Sequence, residues 1–161
     1  MILITPLAHV DPLAVEQLLD TAFGADRHGR TAYRIRSGMA AVPDLSFAAM
    51  DGEAFVGSLQ SWPIALHGAE GATPLVLVGP VAVAPGHQGR GIGQALMRRM
   101  LEAAAGGDPL VLIGDPEYYG RFGFDDSRTA GWEAPGPVER RRLLASSNSP
   151  LPRDGMLGPR A

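Results

Sequence analysis

Pro85-Gly86-His87-Gln88-Gly89-Arg90-Gly91-Ile92-Gly93 stands between an apolar run, Leu75 to Val83, and a helical pattern, Gly91 to Ala105. Glycine reaches backbone conformations that other residues avoid, and it lets a ligand come close to the main chain. A strand that turns through glycines into a helix aims several amides at one spot. That spot lies beside the positive end of the helix dipole, so it forms an anion site suited to phosphate. Arg90 adds a charge there. A tight turn that binds nothing is the plain alternative; three glycines at alternate positions, Gly89, Gly91 and Gly93, weigh against it.

Two phosphate-binding patterns fail. A dinucleotide fingerprint counted from Gly89 needs glycine where Gln94 stands, and counted from Gly91 it needs glycine where Leu96 stands. A P-loop needs a lysine, and the chain has none: all 14 of its Lys-plus-Arg residues are arginine.

Working outward, Ile92, Ala95, Leu96, Met100 and Ala103 share one face of the helix, which Gly106-Gly107 ends. Leu110 to Ile113 reads as a second buried strand, so strand, helix and strand form a parallel crossover. Upstream, Leu75 to Val83 carries a bulge at Gly79-Pro80, because proline cannot donate to a ladder. His67 to Thr73 reads as a flexible loop. Ala54 to Leu66 pairs with Leu45 to Met50 through the hairpin signal Asp51-Gly52. Thr31 to Ser37 is a short helix. Asp11-Pro12 starts a helix in which Val15, Leu18, Leu19 and Ala22 follow at helical spacing, and Gly24 is its natural stop. Ile2 to Thr5 is a first strand. Downstream, Asp115 to Arg121 is a short helix, and Trp132 and Leu143-Leu144 mark further strands. The tail from Ser146 is rich in Ser, Pro and Gly and reads as partly disordered.

The 161 residues suit one domain. Net charge is -3, which argues against nucleic acid as a partner. There is no cysteine, so disulfides, thiolate metal ligands and a cysteine nucleophile are excluded. His9, His28, His67 and His87 show no metal spacing. No segment reads as a signal peptide or bilayer span, so the expectation is a soluble, cytoplasmic protein with no membrane partner.

The pattern that does fit the turn is Gln/Arg-x-x-Gly-x-Gly/Ala, met by Gln88, Gly91 and Gly93. It resembles the CoA-binding motif of the GCN5-related N-acetyltransferases. Tyr119-Gly120-Arg121-Phe122-Gly123-Phe124 matches that family's Tyr-x-x-x-Gly-Phe, and the whole stretch from Gly114 to Phe124 looks especially like a bacterial branch of it. The resemblance runs from the first strand to about Phe124. It implies an α/β (α+β) acyl-CoA N-acyltransferase fold: a central mixed twisted sheet, splayed between two parallel strands and flanked by helices. It implies acetyl-CoA as cosubstrate and no metal. The pyrophosphate would lie on the turn formed by Gln88, Gly89, Arg90, Gly91, Ile92 and Gly93. The pantetheine arm would pair with Val81, Ala82 and Val83. The acceptor would be a small-molecule or peptide amine, and homodimers are common in the family.

By the same resemblance Tyr119 is the catalytic residue, donating a proton to the leaving thiolate. A phenol suits that role because it stays protonated at neutral pH. Packing in the core, or a structural hydrogen bond to the cofactor, is the alternative for Tyr119; core packing is the expected role for Tyr118. Leu112 stands where many members carry an asparagine. Asp115 and Glu117 are candidate bases for the amine, with Glu53 and Asp51 behind them; for each, a plain surface role is the stronger expectation, and Asp115 can cap the short helix. Arg27, His28, Arg30, Arg34 and Arg36 follow the first helix, where the family often places its acceptor. They suggest an acidic acceptor or, equally, a solvated basic face. Trp62 and Trp132 are expected in the core or an interface. A non-catalytic acyl-CoA sensor on the same fold is the rival reading, and an unrelated nucleotide-binding domain a third.

Overall fold

Alternating and helical apolar patterns become twelve principal elements in the computed structural model, which describes residues 1–161. In chain order they are β1 (Ile2–Pro6), α1 (Pro12–Phe23), α2 (Thr31–Ile35), β2 (Phe47–Asp51), β3 (Ala54–Gly68), β4 (Gly71–Val83), α3 (Ile92–Ala104), β5 (Leu110–Ile113), α4 (Pro116–Tyr119), β6 (Gly131–Glu133), β7 (Leu143–Ser146) and β8 (Asp154–Pro159). The strands form a mixed sheet in the order β1-β2-β3-β4-β5-β7, and β8 pairs with β3 and β6. No helix is long and apolar enough to cross a membrane.

The chain divides into two compact units, and β3 and β4 each contribute a segment to both. The first unit holds Met1–Arg27, Ala41–Ser61 and Gly79–Gly106. There β1 and β2 run antiparallel, with Ile4 opposite Ala49, and β2 runs antiparallel to the start of β3, with Ala48 opposite Ser58. The sheet has a helix on each face. Ala48 and Ala82 join Leu7, Val15, Leu18 and Leu19 in a cluster under α1. Ala49, one residue on and so pointing the other way, lies against Gly57 beside Ile92 of α3. The start of α1 follows from its sequence: the Asp11 carboxylate accepts from the Leu13 amide at 3.0 Å, and Pro12 occupies the first helical position. Gly24, at φ 93°, ends it.

The second unit holds His28–Ala40, Trp62–Val78 and Gly107–Ala161. The parallel ladder of β4 with β5 covers Val76 with Leu110 and Leu77 with Val111, and no further pair. From there β5 pairs with β7 on its other side, with Leu112 opposite Leu144. Trp132 is fully buried on β6, and its indole N–H donates to the Pro152 carbonyl at 2.8 Å.

Three expectations need correction. The His67 to Thr73 loop is a two-residue turn, Ala69-Glu70, between strands that run through Gly68 and from Gly71. Its glycine-rich composition marks a tight hairpin rather than a long excursion. The tail from Ser146 is not loose at its end: β8 pairs antiparallel with Ile64–His67 and parallel with β6. Leu157 is 1% exposed and Met156 40%, a strand alternation too short to stand out among the surrounding Asp, Gly and Pro. The strand expected at Leu45 begins at Phe47, after a 3-10 turn at Pro43–Leu45. At the expected bulge, β4 continues through Gly79-Pro80, whose peptide bond is cis.

Candidate active site

The glycine-rich turn lies in the first unit. Gly86, Gly89 and Gly91 take φ of 85°, 81° and 74°, and a Cβ on any of them would meet nothing within 4 Å. These positions need glycine for backbone conformation, and they leave the main chain open to an approaching group. Gly91 is the N-cap of α3, and the first helical bond runs from the Ala95 amide to the Gly91 carbonyl at 3.0 Å. The amides of Ile92, Gly93 and Gln94 therefore have no acceptor within the helix. An exposed loop that ends on first-turn amides suits the diphosphate of a nucleotide ester. Gln88, Gly89 and Arg90 are exposed, whereas the Ile92 side chain is buried, so only the Ile92 backbone is available to a ligand.

Gly57 makes the seat of this turn. A Cβ there would lie 2.8 Å from Cγ2 of Ile92 and 3.3 Å from the Ala82 carbonyl oxygen. The bare backbone of β3 lets the first residue of α3 settle on the sheet. On the neighbouring strand the Ala82 side chain is buried under α1, while Val81 and Val83 are half-buried.

Arg90 is already engaged. Its Nη1 donates to Oδ2 of Asp51 at 3.0 Å and to Nδ1 of His87 at 2.8 Å. A guanidinium can only donate, so His87 accepts at Nδ1. The bond from Arg90 holds the Asp51 carboxyl below the usual carboxylate range.

Tyr119 belongs to the second unit, at the end of α4. The Asp115 carboxylate caps that helix, accepting from the Glu117 amide at 3.0 Å. Tyr119 is half-buried, its ring set edge-on to Tyr118 with centroids 4.9 Å apart and near Phe122 and Phe124. Burial pushes its phenol above the ordinary value, and the Tyr118 and Asp115 charges add to the effect while Arg142 opposes it. The group thus keeps its proton throughout the neutral range.

The carboxylates beside it have structural work. Hydrogen bonding from Glu117, whose amide donates to the Asp115 carboxylate, holds Asp115 low, which makes it a weak base. Glu117 pairs with Arg141 at 2.7 Å on the surface. Glu53 is exposed at the β2–β3 hairpin.

The basic cluster is not one surface. Arg27 neither lines a site nor faces solvent: it is 2% exposed and binds Asp20 at 3.0 Å and Glu16 at 3.4 Å, clamping the chain back onto α1. In the second unit, the Arg36 guanidinium lies 3.5 Å from the Trp62 ring and 4.0 Å from that of Tyr33. Arg34 donates to the Pro135 carbonyl, and His28 and Arg30 are exposed. Gly57 was not legible as a site residue, because its role depends on Ile92, distant in sequence.

Comparison with known proteins agrees with this geometry. Residues 6–126 match the acetyltransferase (GNAT) domain family. No curated protein sequence matches the chain. A GNAT family acetyltransferase from Brucella melitensis, solved with acetyl-CoA, is similar at 24% identity over 96% of this chain and 93% of that one, with a TM-score of 0.67. The N-acetyltransferase YhbS of Escherichia coli, solved with CoA, is similar at 22% identity over 91% and 79%, with a TM-score of 0.69. Arabidopsis thaliana Naa50, in complex with a bisubstrate analogue, is similar at 16% identity over 91% and 98%, with a TM-score of 0.58. The likeness to these structures is one of fold, the acyl-CoA N-acyltransferase fold. With the family match covering well over half of its length, the chain belongs to the GNAT family of acyl-CoA-dependent N-acetyltransferases.

Proposed function

We propose that the chain moves an acetyl group from acetyl-CoA to the primary amine of a small molecule or peptide, by direct transfer in a ternary complex, in the cytoplasm. The observation that carries this reading is the turn at Gly86–Gly93. Left-handed glycines keep its backbone open, and it ends on the unbonded first-turn amides of α3. The amides from Gln88 to Gly93 would hold the pyrophosphate, and the backbone of Val81, Ala82 and Val83 would take the pantetheine arm. Residues 1–161 would act as one catalytic domain.

Tyr119 keeps its proton at neutral pH and gives it to the sulfur as the carbon–sulfur bond breaks. Asp115 and Glu117 are occupied, so the proton lost by the amine passes to water. With no cysteine in the chain, no thiol nucleophile is available for an acyl-enzyme.

Calorimetric titration with acetyl-CoA, CoA, ATP and NAD tests the reading. Stoichiometric binding of acetyl-CoA and CoA, with neither ATP nor NAD bound, is the expected result. Thiol release in an amine screen then separates an enzyme from a sensor, which would bind without turnover. Folded protein that binds neither acetyl-CoA nor CoA would sink the proposal.

A further inference from the structure

Gly114 differs from the glycines of the turn. Its φ lies outside the left-handed region, so the backbone does not ask for glycine. Space does. A Cβ there would lie 2.5 Å from Cε2 and 2.8 Å from Cδ2 of Tyr119, closer than non-bonded carbons approach, and 3.2 Å from Cδ1 of Leu112. The Tyr119 ring lies against the bare main chain of the residue that follows β5.

Both ends of this contact are fixed. The Gly114 amide donates to the Arg142 carbonyl at 2.9 Å, and the Tyr119 amide donates to the Asp115 carbonyl at 2.9 Å. Tyr118, Phe122 and Phe124 surround the ring with centroids 4.9, 6.4 and 6.5 Å away. A methyl group at position 114 cannot be absorbed by a backbone held this way, so the ring must swing aside about its Cα–Cβ bond. The hydroxyl, at the far end of the ring, then moves most.

We propose that Gly114 is a positioning residue for acetyl transfer: its bare backbone sets where the Tyr119 ring lies and so the place of the phenol hydroxyl. This rests on the reading of Tyr119 as proton donor. In that step the amine nitrogen bonds to the carbonyl carbon and gives up a proton to water, the bond from that carbon to sulfur breaks, the sulfur keeps the electron pair and takes the phenol proton, and water returns a proton to the phenolate. Removing the hydroxyl and misdirecting it then have the same consequence, so their effects do not add.

The test is a double-mutant cycle of Gly114→Ala and Tyr119→Phe, read by thiol release from acetyl-CoA with spermidine, kanamycin and a short peptide with a free N-terminus as probe amines. Gly114→Ala lowers kcat about tenfold or more, holds KM for acetyl-CoA within about twofold, and adds nothing to Tyr119→Phe. Unchanged kcat in Gly114→Ala, or losses that multiply in the double variant, overturn the proposal. If Tyr119→Phe alone keeps full kcat, the donor reading has failed, and the seat is judged by a readout independent of turnover. In protein labelled with 13C at the tyrosine ring, with the Tyr119 resonance assigned from Tyr119→Phe, Gly114→Ala shifts that resonance and brings its titration down toward the ordinary phenol value, while Tyr33 is unmoved. A Tyr119 resonance that stays in place overturns the inference on Gly114. If Gly114→Ala does not fold, Gly114→Ala with Tyr119→Leu folds as Tyr119→Leu does; failure of that pair to fold overturns it as well.

Discussion

Two residues carry opposite demands at the residue scale. As the proposed donor, Tyr119 must hold a proton, and its surroundings make it do so: burial raises its phenol above the usual value of about 10. In the proposed mechanism the acidic form is the active one, and its proton is present at every pH below the raised value and is lost only above it. Because the acceptor amine must be deprotonated, kcat should rise with pH through the neutral range and fall again only above the ordinary phenol range. Tyr119→Phe should keep CoA affinity, lower kcat by about a hundredfold and abolish the alkaline fall. A pH–rate profile of both proteins checks this; an alkaline fall that persists in the variant assigns the titrating acid to another group. Gly91 must do the reverse and present nothing. At φ 74°, with open space where a Cβ would be, Gly91→Glu adds strain, bulk and a negative charge where pyrophosphate would lie. Acetyl-CoA binding by calorimetry should fall at least about a hundredfold, through lost amide contacts and charge repulsion together. Normal binding would place the cofactor elsewhere.

At the scale of elements, the approach of α3 to the sheet depends on Gly57. Gly57→Ala brings a methyl group to 2.8 Å from the β-branched Ile92 side chain and 3.3 Å from the Ala82 carbonyl, neither of which moves freely. The expected cost is about 1–3 kcal/mol of stability, the usual penalty of overpacking. CoA affinity should weaken as well, because the displaced residue begins the helix whose amides would hold the pyrophosphate. Urea unfolding and calorimetry on one preparation measure both; a variant as stable and as tight as the parent removes Gly57 from the seat. This dependence separates what the sequence discloses from what it hides. Local chemistry was legible: Asp11-Pro12 starts α1, Asp115 caps α4, and the glycines of the turn announce the loop before α3. Long-range chemistry was not. Gly57 has no local mark, since its reason is Ile92. Arg27 reads as part of a basic run, and only the fold of the chain back onto Glu16 and Asp20 buries it. β8 offers one buried leucine among polar and turn residues, and it becomes a strand because β3 and β6 supply its hydrogen bonds.

For the whole molecule the question is whether two compact units make one cooperative domain. β3 spans 15 residues and β4 13, and each passes through both units without a linker. Melting one unit therefore frays strands that the other needs, which argues for a single all-or-none transition. The chain carries its own probes for each unit. Both tryptophans, Trp62 and Trp132, lie in the second unit and are buried, so fluorescence follows that unit alone. The long helices α1 and α3, of 12 and 13 residues, lie in the first, whereas α2 and α4 of the second have only 5 and 4. Far-ultraviolet circular dichroism at the helix band thus reports chiefly on the first unit. In urea, the two signals should trace one curve with a common midpoint and slope. Midpoints that separate beyond fitting error would mean that the units unfold independently, and the single-domain reading of residues 1–161 would then give way to two domains threaded by the same pair of strands.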